Sequence, residues 1–299
     1  MLYYRRKILL ALLETFEGEL TAKSLQKYLF LFTRKQEKKA FDFVPYKYGC
    51  FSFQANQDIA TLKTYGYIDV KNTDDGRFIQ LKGKDNFISS LELFDRQYLL
   101  DIKNDFGSMQ QNELIKYTYM YYPFYAIKSS IAQSMLTQEE YAKVQQQIRT
   151  FSDSVLFTIG YEGLSLETYI NKLIINGIKV LCDVRKNAFS QKYGFSKSQL
   201  EAACKGVDIM YIHFPDLGID SIFRQNLMSQ KDYDNLFEKY ENSVLKNNSD
   251  AINRIFELLK NNKRLALTCF EKNPQQCHRN RIAEKLMNFE NKDYSFKIL

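Results

Sequence analysis

The residues of this chain best suited to chemistry are four acid–base groups in its second half. Three are carboxylates, Glu162, Asp183 and Glu271, and the fourth is the imidazole of His278. A carboxylate can activate water or stabilise a developing oxocarbenium ion, and an imidazole can donate a proton. We predict these four as the catalytic residues, with Glu271 or Asp183 as the base, His278 as the proton donor and Glu162 as the alternative acid.

A second set of residues could hold an anionic substrate. Arg185 and Arg279 can each bind a phosphate or a carboxylate through two hydrogen bonds. Arg279 belongs to Cys277-His278-Arg279 at the start of a predicted helix, where backbone N–H groups favour an anion. The predicted substrate-binding residues are Gly160, Tyr161, Arg185, Ser190, Lys192, Lys197, His213, Cys277 and Arg279.

Metal and cofactor chemistry is left open by these residue types. Cys269, Cys277, His278 and His213 could bind zinc, but the separation of the cysteines fits no zinc knuckle, so we predict no metal ligand. If Mg²⁺ is required, the three carboxylates supply its oxygen ligands. The cofactor is unknown.

Plainer roles remain open for several of these residues. Gly160 could serve only a tight turn, and Asp183 and Arg185, which point to the same face of a strand, could form a structural ion pair. His213 could be a half-buried histidine without a catalytic role. Cys277 at a helix start could be a nucleophile with a lowered pKa or a small buried residue.

The elements that position these residues alternate between strands and helices from Val155 onwards, which predicts an α/β domain with a parallel, doubly wound, Rossmann-like sheet. The predicted strands are 155–159, 179–182, 209–213 and 265–269, and the predicted helices are 165–176, 197–205, 250–260 and 277–289. Residues 220–248 are polar and poorly periodic. Ligands bind beyond the carboxyl ends of such strands, and each predicted strand is followed by several of the polar residues named above.

The first half of the chain is predicted to be mainly helical. Helices followed by strands at 67–70 and 77–81 form a winged-helix-like module over residues 1–85, with Thr21 as a helix N-cap. Residues 86–151 form a helical connector, whose tyrosines near residue 120 could stack bases or pack in a core. The α/β domain spans residues 152–299.

Composition narrows the class of protein. The chain has 299 residues with a net charge of +7, which permits a nucleic-acid partner without requiring one. Its five cysteines have no disulfide-like spacing, and no stretch is long and apolar enough for a membrane span. We expect a cytoplasmic protein that does not associate with membranes.

Four motifs of the second half resemble the signatures of domain of unknown function family 488. They are Phe157-Thr-Ile-Gly-Tyr-Glu-Gly, Leu181-Cys-Asp-Val-Arg-Lys-Asn-Ala-Phe-Ser, Tyr193-Gly-Phe-Ser-Lys and Thr268-Cys-Phe-Glu-Lys-Asn-Pro-Gln-Gln-Cys-His-Arg. The resemblance covers residues 155 to about 290 and supports the fold and the site, but this family carries no settled activity. Ala188 stands where the family usually has proline.

The stretch Val44-Pro-Tyr-Lys-Tyr-Gly-Cys-Phe-Ser, with Asp58, Leu62 and Gly66, is similar to a helical module often attached to that family and to the Panacea-type antitoxin domain. Cys50 replaces the proline of the latter. Both resemblances imply a nucleic-acid and defence context.

Three functions follow as hypotheses. The leading one is an enzyme that hydrolyses a phosphodiester or N-glycosidic bond of nucleic acid, with a homodimer as a candidate assembly. The second is a sensor of a nucleotide or modified base without catalysis. The third is a thiol-dependent transferase that uses Cys277.

Overall fold

The computed structural model describes residues 2–83, 85–225, 227–289 and 293–299. The chain divides into two compact units, Met1–Ile148 and Arg149–Leu299. Residues 86–148 belong to the first unit, and a separate connector role for 86–151 stays a prediction. Within the described ranges, no helix is both long and apolar enough to cross a membrane.

The first part of the N-terminal unit combines three helices with a small antiparallel sheet. Its elements are α1 (Tyr4–Thr15), β1 (Glu19–Thr21), α2 (Ala22–Lys35), β2 (Val44–Tyr46), β3 (Gly49–Phe51), α3 (Phe53–Thr64), β4 (Ile68–Thr73) and β5 (Gly76–Leu81). The sheet order is β1–β5–β4, and β4 and β5 form the predicted hairpin that follows the helices. Thr21 accepts a hydrogen bond from the backbone N–H of Ser24, which confirms the predicted N-cap of α2.

Four further helices complete the N-terminal unit: α4 (Leu93–Phe106), α5 (Gln111–Tyr121), α6 (Ala132–Met135) and α7 (Gln138–Gln145), with 3₁₀ turns at Ile88–Ser90 and Pro123–Ala126. The tyrosines of this region take part in the packing of the unit. Tyr119 is buried, and the rings of Tyr122 and Tyr125 contact Phe30 edge to face. A core role therefore accounts for these rings better than base stacking.

The C-terminal unit is an α/β domain around a five-stranded, all-parallel sheet, as predicted. Its elements are β6 (Val155–Gly160), α8 (Leu166–Ile175), β7 (Val180–Asp183), α9 (Lys197–Lys205), β8 (Met210–His213), α10 (Gln230–Tyr240), α11 (Ser249–Asn262), β9 (Arg264–Cys269), α12 (His278–Met287) and β10 (Ser295–Ile298). Short 3₁₀ turns lie at Pro215–Leu217, Ser221–Arg224 and Pro274–Gln276, and a π-helical turn lies at Glu241–Leu245. The strand order is β10–β6–β9–β7–β8.

The alternation of side chains along β9 shows why helices cover both faces of the sheet. Leu265 and Leu267 belong to a core cluster with Ile255 of α11 and Ile282 of α12. Successive residues of a strand point to opposite faces. Thr268 accordingly accepts a hydrogen bond from Tyr169 of α8, at 2.8 Å. Strands buried on both faces require continuous apolar runs, and β6, β7 and β9 are buried along their whole length.

Candidate functional site

The register of the sheet brings the carboxyl ends of four strands to one level. Asp183, the last residue of β7, is paired with Thr268 of β9 on one side and with His213 of β8 on the other. Gly160 of β6 is paired with Cys269 of β9. The segments that follow these strands therefore meet at one edge of the sheet, which is where ligands bind in this architecture.

A cavity of about 460 Å³ opens at this edge. Four predicted site residues line it: Tyr161, Arg185, Ser190 and His278. The other lining residues are Lys186, Asn187, Phe189, Gln191, Ile219, Asp220, Ser221, Arg224, Cys269 and Phe270. We call this cavity the edge pocket, and the side of it formed by Cys269 and His278 its floor.

Asp183 and Arg185 form a buried ion pair beside the edge pocket. The carboxylate of Asp183 accepts hydrogen bonds from Nε and Nη2 of Arg185, at 2.8 and 2.5 Å, and from the phenol of Tyr211, at 2.6 Å. Although burial opposes the charge of Arg185, its bonds with Asp183 raise the pKa of the guanidinium. Nη1 of Arg185 also donates to the phenol of Tyr161. The pair thus holds the pocket wall in place.

His278 lies fully buried at the start of α12 with its ring orientation fixed. Nε2 lies 2.8 Å from the carbonyl oxygen of Val184, which can only accept, so Nε2 carries the proton. Nδ1 then has a free electron pair and accepts from Nη2 of Arg224, at 2.6 Å. The imidazole therefore presents an acceptor, rather than the predicted proton donor, to the edge pocket.

Arg224 links His278 to Glu271. Nη1 of Arg224 donates to Oε1 of Glu271, while Oε2 of that carboxylate is buried and has no hydrogen-bond partner among the described residues. Arg224 was missed from the sequence because it lies in the poorly periodic segment 220–248. The third predicted carboxylate, Glu162, is exposed and accepts from the backbone N–H of Lys272, at 2.8 Å.

The predicted anion clamp Arg279 is buried and does not line the edge pocket. Its Nη1 donates to the carbonyl oxygen of Glu271, at 2.6 Å. Lys192 donates to the carbonyl oxygen of Tyr161, and burial lowers the pKa of its ammonium group. Arg279 and Lys192 thus support the loops behind the pocket.

The remaining predicted residues lie around the same edge. His213 contacts the carbonyl oxygen of Arg185 through Nε2, at 2.8 Å, and Ser190 Oγ accepts from the backbone of Lys192. Lys197 is exposed at the start of α9. Gly160 lies where a Cβ would meet the carbonyl oxygen of Glu271 at 1.9 Å. A similar close approach occurs at Gly218, whose added Cβ would meet the backbone N of Lys186 at 2.0 Å.

Two cysteines contact the imidazole of His278. Sγ of Cys269 lies 3.9 Å from Nδ1, and Sγ of Cys277 lies 4.0 Å from it. Burial alone would raise the pKa of the Cys269 thiol, but the hydrogen bond from Cys277, His278 and the charge of Arg224 lower it well below its usual value. Burial and the adjacent Cys269 raise the pKa of Cys277. Of the two thiols, Cys269 lines the edge pocket and Cys277 does not.

The resemblance found in the motifs is confirmed over most of the C-terminal unit. Residues 165–286 match a family described as Domain of unknown function DUF488. The match begins after Gly160 and Glu162 and does not extend to the N-terminal unit. No curated protein and no solved structure shows significant similarity to the chain. Arg185, Arg224, Cys269 and His278, which surround the edge pocket, thus lie within the residues that match this family.

Proposed function

We propose that the C-terminal unit is an enzyme that hydrolyses a phosphodiester or an N-glycosidic bond of nucleic acid. The observation that carries this proposal is the combination of cations and exposed aromatic rings around one pocket at the carboxyl edge of the sheet. Cationic side chains bind the phosphates of a nucleic acid, and aromatic rings stack against its bases. A nucleotide chain is a substrate that offers both features.

The cations available to a phosphate are Lys186 and Arg224. Lys186 is exposed on the pocket wall, and Arg224 reaches the floor of the pocket. Both arginines have partners within the protein, but the side chain of Arg185 is only 6% exposed and that of Arg224 is 25% exposed, so we assign Arg185 a positioning role. Fixed cations close to a developing negative charge stabilise the transition state without reorganisation.

The rings are those of Phe189 and Phe270, which are 70% and 44% exposed. Exposure of large apolar side chains to water is unfavourable, so a ligand that covers these rings would gain binding free energy. Ile222 and Phe223, next to Arg224, are also exposed. A base stacked on Phe189 or Phe270 would place its phosphate near Lys186 and Arg224.

The acid–base groups of the proposed reaction are Glu271 and His278. Nδ1 of His278 is an acceptor at the floor, and Glu271 sets the position of Arg224. The carboxylate of Asp183 accepts hydrogen bonds from four donor groups within the protein, so we propose that it positions Arg185 instead of serving as the base. In either reaction water adds across the broken bond, its hydroxyl to phosphorus or to the sugar carbon and its proton to the leaving group.

The experiment is an incubation of the full-length protein with supercoiled plasmid and with modified phage DNA, with and without Mg²⁺. Strand breaks before hot alkali indicate a nuclease, and breaks only after it indicate base excision. Arg224→Ala should abolish the product, whereas Arg281→Ala, a cation of α12 outside the edge pocket, should retain it. No breaks from DNA or RNA, or equal activity of both variants, would refute the proposal. Binding without breaks would favour the sensor.

A second candidate function is a thiol-dependent transferase, and the position of Cys269 on the floor of the edge pocket, beside His278, is the observation that favours it. The nucleophile would then be Cys269 instead of Cys277, which does not line the pocket. Binding of nucleic acid by the winged-helix-like module, a role in defence and the homodimer stay predictions.

A further inference from the structure

Three potential metal ligands converge at the floor of the edge pocket. Sγ of Cys269, Sγ of Cys277 and Nδ1 of His278 all lie within 4.8 Å of one another. The two sulfur–nitrogen distances are 3.9 and 4.0 Å. In a tetrahedral zinc site, with bonds of about 2.3 Å to sulfur and about 2.0 Å to nitrogen, neighbouring ligand atoms lie about 3.5–3.8 Å apart. The two sulfur–nitrogen distances are therefore within about half an ångström of the spacing that a common ion requires.

The proton of the His278 imidazole is on Nε2, which leaves Nδ1 free to bind a metal ion. Nε2 donates to the carbonyl oxygen of Val184, and the unprotonated Nδ1 lies 3.9 and 4.0 Å from the two sulfur atoms. Imidazoles that bind metals almost always donate their other N–H to a carbonyl or carboxylate, which fixes the tautomer and the ring orientation. Val184 follows β7 directly and supplies this support from a buried strand end.

We propose that Cys269, Cys277 and His278 bind one zinc ion, with its fourth position directed into the edge pocket. Cys269 and His278 line the pocket, whereas Cys277 lies behind them and is fully buried. Zinc sites with three protein ligands and an open fourth position hold water or substrate there. The inference concerns binding of the ion and does not require hydrolysis, but an ion on Nδ1 would leave Glu271 alone in the acid–base role proposed above.

Arg224 identifies the place that the ion would take. Its Nη2 lies 2.6 Å from Nδ1 of His278, so a positive charge already faces this electron pair. Zinc and the guanidinium cannot both use Nδ1. Binding of the ion therefore requires Arg224 to give up this contact, and it keeps its other partner, Glu271.

The test uses the full chain after dialysis against a chelator, titrated with Co²⁺ as a spectroscopic substitute for zinc. We expect one equivalent to bind in tetrahedral geometry with thiolate-to-cobalt charge transfer, and an equivalent of Zn²⁺ to bleach the spectrum. Cys269→Ser and Cys277→Ser should each lose about half of the charge-transfer intensity or all binding. Cys50 is a buried cysteine of the N-terminal unit, and Cys50→Ser should keep both the binding of one equivalent of Co²⁺ and the full charge-transfer intensity.

X-ray absorption of the zinc-loaded wild-type protein tests the same site without any substitution, and it should show two sulfur neighbours and at least one nitrogen. Oxygen and nitrogen neighbours only, or a cobalt spectrum that Cys269→Ser and Cys277→Ser leave unchanged, would overturn the proposal. Nucleic-acid cleavage by a protein that binds no zinc would reject the metal site alone. Zinc binding without cleavage would reject only the hydrolase.

Discussion

The carboxylate of Asp183 and the guanidinium of Arg185, two residues apart, form a two-point ion pair from which water is excluded. Nε and Nη2 of Arg185 lie 2.8 and 2.5 Å from the carboxylate oxygens, and Asp183 has no exposed surface. Tyr211 and the backbone N–H of Arg185 complete the coordination of the carboxylate. The pair joins the end of β7 to β8 and to the loop after β6.

Asp183→Asn should therefore destabilise the C-terminal unit. Removing one partner of a buried ion pair leaves the other charge uncompensated and costs about 3–5 kcal/mol of unfolding free energy. Chemical denaturation measures this loss. Glu257→Gln, which breaks the exposed Lys260–Glu257 pair, is the control and should change stability by less than about 1 kcal/mol. Equal effects of both variants would contradict the structural role of Asp183.

Gly160→Ala should disturb the protein more than an alanine at Gly163. A Cβ at Gly160 meets the carbonyl oxygen of Glu271 at 1.9 Å, and a backbone atom cannot rotate away. We expect a loss of about 3 kcal/mol of unfolding free energy, typical of severe overpacking. Gly163 has φ +78° with open space around it, so alanine there should cost only about 1 kcal/mol of backbone strain. Similar costs at both positions would show that the β6 and β9 loops separate easily.

Phe189→Ala and Phe270→Ala should weaken the binding of single-stranded oligonucleotides. Stacking of one base on an aromatic ring contributes about 1–3 kcal/mol, so each substitution should raise Kd about 5- to 150-fold. Fluorescence anisotropy with a labelled oligonucleotide measures this change. Phe94→Ala removes an equally exposed ring of the N-terminal unit and should leave the affinity unchanged. If all three variants bind alike, the rings at the pocket do not contact nucleic acid.

Iodoacetamide should label Cys269 faster than the other four cysteines in chelator-treated protein, and its labelling rate should rise at lower pH than that of an ordinary thiol. Cys269 lines the edge pocket, and despite burial His278 and the charge of Arg224 lower the pKa of its thiol, whereas the pKa of an ordinary thiol is about 8.5. Burial raises the pKa of the other four thiols, Cys50, Cys182, Cys204 and Cys277. Peptide mass spectrometry locates the label. Faster labelling at Cys277, or a rate at Cys269 that rises only at the pH of an ordinary thiol, would contradict this prediction.

The parallel sheet could be predicted because buried strands must be apolar along their length. The predicted strands begin or end within one residue of β6–β9. β10 was missed because it is a four-residue edge strand whose side chains are largely exposed, and such a strand needs no apolar run. Helix α10 was missed because only Phe237 and Tyr240 among its residues are buried, which is too sparse a pattern to recognise.

The location of the candidate site could also be predicted, since strand ends determine it. The contacts of each side chain could not be predicted, because long side chains reach partners far away in the sequence. Arg279 and Arg224 have the same side chain, yet Arg279 binds a backbone carbonyl while Arg224 reaches the edge pocket. The pairing of Asp183 with Arg185 was one of two open alternatives, and only the bond from Tyr211 shows that the carboxylate is fully occupied.

The two close approaches at Gly160 and Gly218 have a consequence for the diversity that this fold can support. Each brings the main chains of two neighbouring loops together without side chains between them, the first joining the loops after β6 and β9 and the second those after β7 and β8. The spacing of these loops is therefore set by the main chain itself. Residues such as Asn187, Gln191 or Ser221, which line the cavity, can be exchanged without altering this spacing. Single substitutions at lining positions could thus change the ligand specificity of this cavity, while the two glycines keep the spacing of the loops unchanged.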